Sequence, residues 1–180
     1  MKNWTVNAME TLQKAQSKAY EMGHAELEPL HLLWALLSET GLATNTLRQL
    51  ELDPLLIAKT AEKELDSLPT VEQADLPGAG RDLQKLFLDA GQVAAKDQGS
   101  SGMVGTRELL LALAAGNGRA GSVLKTFGVD AKNIEKALEN SGADAAYDGQ
   151  DEGDLGAGDE SALDKYARDL CAAARAGKID

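Results

Sequence analysis

Apolar residues fall along this chain in two runs of the same spelling, Leu32-Leu33-Trp34-Ala35-Leu36 and Leu109-Leu110-Leu111-Ala112-Leu113. A helix apolar on nearly every face belongs at the centre of a domain rather than on its surface. The two runs lie 77 positions apart, and the same offset aligns Ala43 with Ala120, Leu47 with Leu124, Asp53 with Asp130, Ile57 with Ile134, Lys59 with Lys136 and Glu62 with Glu139. About ten matches in roughly 35 ungapped positions mark an internal duplication.

Around these runs the spacing predicts further helices. Thr5 can cap a first one, on which Ala8, Leu12, Ala15 and Ala19 form one apolar stripe, and Gly23 ends it. Glu28-Pro29 opens the second helix, which stops near Gly41. Leu42 to Leu50 makes a short third, and Asp53 caps a fourth with Pro54 in its first turn. Ser67 to Gly80, with two prolines and two glycines, is a break. The programme then repeats: Leu83, Phe87, Ala90 and Ala94 copy the first stripe at an offset of 75. The change of offset falls in the loop Gln98 to Gly105, where insertions are tolerated. Thr106 is expected to cap the next helix, Gly118 to Phe127 copies the short third one, and Asp130 caps the last. No segment alternates as a strand does, so the expected fold is all-α. Two tandem four-helix repeats, about 5–67 and 81–141, are related by a pseudo-twofold.

Composition refines this picture. The 180 residues are 43% hydrophobic but only 4% aromatic, so the core is built from Leu, Ala, Ile and Val, which favours packed helices. A formal charge of −11 argues against a nucleic-acid backbone or an anionic membrane as partner. The lone cysteine, Cys171, cannot form an internal disulfide, and neither a signal-peptide core nor an 18-residue apolar run is present; a cytoplasmic location is expected. From Ser141 the chain carries seven acidic residues, Asp144 to Glu160, with no basic one, and 143–160 reads as a flexible, self-repelling linker. Helical spacing returns at Leu163, Tyr166, Ala167 and Leu170.

Catalytic chemistry is not found. His24 and His31 cannot make a metal site alone, and His31, near a helix start, reads as structural. Gly78-Ala79-Gly80-Arg81 is too short for a phosphate loop and lacks its lysine, and no serine has a nucleophile-elbow context. The chain offers adhesive surface instead. A groove between the first helix and the second unit would be lined by Trp4, Thr5, Ala8, Leu12, Phe87, Val93 and Leu109. Three consecutive leucines, Leu109 to Leu111, span about 200° of a helix, so at least one should be partly exposed or touch the other repeat. On this reading, serine at Phe87 or at Leu109 weakens binding of unfolded protein without unfolding the domain.

Several segments resemble the Clp N-domain family, and within it the N-terminal domains of ClpB-type AAA+ disaggregases. They are Ala15-Gln16 through Gly23-His24, Glu28-Pro29-Leu30-His31-Leu32, and Leu68-Pro69-x-Val71-Glu72. Ala162-Leu163-x-Lys165-Tyr166-x-x-Asp169-Leu170, with Ala174 and Gly177-Lys178-Ile179-Asp180, is similar to the opening of that family's first ATPase module. The resemblance implies a duplicated N-domain over 1–142, a linker over 143–160 and a truncated module start over 161–180. It implies a full-length hexameric ATPase that uses ATP and magnesium outside this fragment and works with the Hsp70 system in the stress response. This piece would have no cofactor or enzyme activity, would be monomeric, and would hold exposed apolar segments of aggregated polypeptides weakly in its groove. Thr5 and Glu108 stand where relatives handle substrate, whereas an acidic residue common near Gly102 is missing. Arg107 would repel a guanidinium ligand, so phosphoarginine recognition of the ClpC kind is not expected. Two alternatives stay open: an adaptor-docking domain of a protease-linked or secretion-associated Clp ATPase, and a stand-alone N-domain.

Overall fold

The computed structural model describes residues 3–72, 75–96 and 102–141. The expected linker at 143–160, the module start at 161–180 and Cys171 lie outside the described residues. Helix α1 (Val6–Glu21) starts where extended Thr5 accepts the Ala8 N–H through Oγ1 at 3.2 Å. It buries Ala8, Ala15 and Ala19 and ends just before Gly23. Strand β1 (Glu26–Leu27) leads into α2 (Pro29–Ser38), followed by α3 (Leu42–Gln49) and α4 (Pro54–Leu65). Asp53 caps α4 by accepting the Leu55 N–H at 3.0 Å. After β2 (Gly78–Ala79) the second set follows: α5 (Arg81–Lys96), α6 (Thr106–Ala115), α7 (Arg119–Thr126) and α8 (Ala131–Ser141).

The two apolar runs occupy α2 and α6, and both helices are buried along almost their full length. Within the two runs the one departure is the variable position of the motif. Trp34 is half-covered, with the Lys18 ammonium 4.6 Å above its ring and that ammonium held by Glu62 at 2.6 Å, whereas its counterpart Leu111 is buried. Cation–π contact and ion pair together close over a side chain too large for the core.

Packing follows the duplication. Helix α2 touches α1, α3 and α4, and α6 touches α5, α7 and α8. Across the seam α2 meets α6, and the remaining contacts come in exchanged pairs: α2 with α7 and α6 with α3, α4 with α7 and α8 with α3, α1 with α6 and α5 with α2. That exchange is the signature of a pseudo-twofold axis and agrees with the all-α, two-repeat expectation.

Two details were not expected. The short strands form a parallel pair, Leu27 opposite Ala79, and Trp4 makes a parallel bridge with Val104. Leu27 and Val104 are 77 positions apart and Trp4 and Ala79 are 75 apart, the two repeat offsets, so these pairings are copies of each other. Each repeat therefore lends the residues before its first helix to the other. Two-residue strands carry no detectable alternation, which is why the spacing did not reveal them. The start of α6 is also different: Gly105 is the cap and Thr106 is already helical, because Glu108 Oε2 reaches back to accept the Gly105 N–H at 2.8 Å.

Candidate functional site

The strand-like residues Asn3–Thr5 position the surface. Val104 N–H donates to Asn3 O at 2.7 Å, and Thr5 N–H donates to Val104 O at 3.0 Å. This seats Trp4 beside α5, where its ring meets Phe87 edge to face, centroids 4.9 Å apart and planes at 88°. Such a pair adds about 0.5–1.5 kcal/mol beyond the area it buries. The first helix of each repeat is thereby joined at the surface through one aromatic contact, with α6 packed against both.

Of the seven residues expected to line the groove, five keep partial exposure. Trp4, Thr5, Leu12, Phe87 and Val93 are half-buried, with the apolar ones packed on the core from above. Ala8 and Leu109 are corrected from groove to core, since each is 0% exposed. The reason is α6 itself, which is surrounded by α1, α2, α3, α5, α7 and α8. All three leucines at 109–111 are consequently buried, and the contact with the other repeat absorbs them. Glu108, suggested by resemblance, is also buried: one oxygen closes the α6 capping box and the other lies 3.5 Å from Arg107 Nη1. Its carboxylate is engaged in holding the helix start on which Val104 and Thr5 depend.

The spacing missed three exposed aliphatic side chains on the first helix of each repeat. Val6 and Met9 on α1 and Leu88 on α5 are exposed, Leu88 at 69%. Each lies off its helix's buried stripe, and an apolar side chain outside the stripe is the signal that would have found it. At Gly91, one turn after Phe87, a Cβ would meet nothing within 4 Å, so the helix faces open space there. A separate cleft of about 330 Å³ lies between α3 and α8, lined by Gln49, Leu50, Asn133, Lys136, Ala137 and Asn140. It is more polar in its side chains than the Trp4–Phe87 surface.

The histidines pair with each other. His31 Nδ1 accepts the Glu28 N–H at 3.0 Å, and His31 Nε2 lies 2.7 Å from His24 Nδ1, both rings buried. Among the described residues no three His, Cys, Asp or Glu side chains are placed to hold a metal ion, and no helix is long and apolar enough to cross a membrane.

The Clp repeat (R) N-terminal domain family matches residues 3–127, and the chain belongs to that family. Among curated proteins, the Chaperone protein ClpB of Corynebacterium diphtheriae is 33% identical over 99% of this chain. The chain spans only about a fifth of that relative's length, 21%. Among solved structures, the Hsp104 N-terminal domain of Candida albicans superposes with a TM-score of 0.68 at 20% identity, covering 78% of this chain and 93% of the other. A complex of the ClpV N-domain with a VipB peptide superposes with a TM-score of 0.63 at 18% identity, over 81% of this chain and 90% of that one. The family matched is that of an N-terminal domain rather than of an ATPase module.

Proposed function

We propose that this chain is the substrate-binding N-terminal domain of an ATP-dependent protein disaggregase of the ClpB type. It captures exposed apolar segments of aggregated polypeptides weakly and passes them to an ATPase ring. ATP and magnesium act in modules beyond this sequence, in a hexamer served by the cytoplasmic Hsp70 system. The observation that carries the reading is the half-buried Trp4–Phe87 pair, together with exposed Val6 and Met9 on α1, exposed Leu88 on α5 and the open space at Gly91. An exposed apolar surface suits loose, sequence-tolerant binding. The ClpV complex supports peptide binding on this fold, and the greater identity to ClpB favours the disaggregase over the secretion-associated alternative.

The test is a titration of the 180-residue chain with a reduced, alkylated lactalbumin, followed by amide and indole chemical shifts. The expected shifts fall on Trp4, Val6, Met9, Phe87 and Leu88. Phe87→Ser weakens binding about tenfold, the weight of an aromatic anchor, while circular dichroism retains the helical spectrum. Gly91→Ala guards against a folding artefact: it stabilises α5 by about 0.5–1 kcal/mol yet puts a methyl group into the open space one turn from Phe87 and weakens binding. Shifts confined to the α3–α8 cleft, or full affinity in both variants, would overturn the proposal.

A further inference from the structure

The buried histidine pair lies away from the Trp4–Phe87 surface and plays no part in it. Its proton positions follow from the geometry. Because His31 Nδ1 accepts from the Glu28 backbone, the neutral ring carries its proton on Nε2 and donates it to His24 Nδ1. His24 then carries its own proton on Nε2. Every ring nitrogen able to take up another proton is already a hydrogen-bond acceptor. Adding that proton to either ring sets N–H against N–H, in a place from which water is excluded.

The charged groups facing the pair come from each element packed on it. Glu28 from the start of α2 and Asp66 from the end of α4 favour a charge on His24, but burial outweighs them and holds its pKa below the ordinary value. For His31, burial and then the neighbouring His24 ring press the value down to about 4; the Glu28 backbone works against this, and Lys18 of α1, itself bound to Glu62, adds a smaller downward push. Both groups have a folded value depressed below the free-chain value of about 6.5. Between about 4 and 6.5 the opened state binds more protons than the closed one, so closure is favoured as pH rises and lost as pH falls.

The backbone beside the pair makes one particular contact. The His24 backbone bridges Thr70 in antiparallel fashion, and the Val71 N–H donates to Gly23 O at 2.8 Å. These bonds fasten the chain leaving the first repeat to the corner between α1 and α2. We propose that the His24–His31 pair is an acid-released latch: protonation frees Thr70–Val71 from that corner and leaves both helical cores folded.

Native-state amide exchange on the 180-residue chain, at about pH 7.5 and about pH 5 on either side of the ordinary histidine value, tests it. After correction for intrinsic exchange, protection at Val71 falls about tenfold or more at the lower pH, one tenfold step being about 1.4 kcal/mol. Protection at Leu33 and Leu110 is unchanged. Imidazole nitrogen shifts at neutral pH report Nε2–H on both rings. His24→Gln, whose side-chain carbonyl still accepts from His31 but takes up no proton, reduces the pH-dependent loss. Unchanged Val71 protection, a parallel loss at all three amides, or an Nδ1–H tautomer on His31 would each overturn the latch, and the wild-type measurements decide it even where the variant does not fold.

Discussion

Replacing Leu109 by alanine lowers the stability of the domain by about 3 kcal/mol, within the range of about 2–5 kcal/mol for truncating a buried leucine. Leu109 is fully buried on α6, and helices from both repeats close around it. The lost methyl groups therefore leave a cavity inside the packed core, and a site walled on all sides relaxes poorly. A domain of this size has a total stability of about 5–15 kcal/mol, so the loss is a large fraction of it. Urea titration followed by circular dichroism measures the effect. Serine at the same place adds an unsolvated hydroxyl and costs more, so any loss of client binding by Leu109→Ser reports unfolding rather than a missing contact. A change below about 1 kcal/mol would show that the helix has a free face after all.

Gly121→Ala has an effect of similar size for a different reason. A Cβ at Gly121 would sit 2.0 Å from Gly116 O, 2.9 Å from Gly116 C and 3.3 Å from Leu113 O. All three are backbone atoms, so no side chain can swing aside, and the turn joining α6 to α7 must open. Alanine gains about 1 kcal/mol of helix propensity over glycine, but overpacking against backbone outweighs it, and a net loss of about 2–3 kcal/mol is expected. The corresponding place in the first repeat holds Thr44, which fits because its turn runs differently and its Oγ1 accepts the Gly41 N–H at 2.9 Å. Melting curves of the two proteins check this: an alanine variant that melts with the wild type would mean that the α6–α7 turn yields without cost.

The repeated Leu-Leu-X-Ala-Leu run was enough to place α2 and α6 at the centre and to relate the halves, because complete burial leaves a pattern in the residues themselves. Thr5, Asp53 and Asp130 were legible as caps for the same local reason: each side chain accepts an N–H two or three residues on. What spacing could not supply was coverage. It shows that Ala8 and Leu109 lie on apolar faces, but not that another helix lies across them. It gives no weight to Met9 or Leu88, which sit one position off the stripe and stay in water. The cap of α6 was misplaced because threonine is the commoner capping residue, whereas here the glutamate two residues later does the work from inside the helix. Backbone conformation was equally silent at Glu51, which takes a left-handed φ of 59° where the second repeat has Gly128 at 75°. The duplicated turn is preserved although only one copy carries the residue that adopts it without strain.

The exchange of leading strands has a mechanical consequence. Tension applied at the amino-terminal end runs through Asn3 and Thr5 directly into Val104, so the load enters the second half of the domain before it can unwind the first. A polypeptide pulling at that end strains both halves at once, and the domain resists as one body although its sequence is written twice.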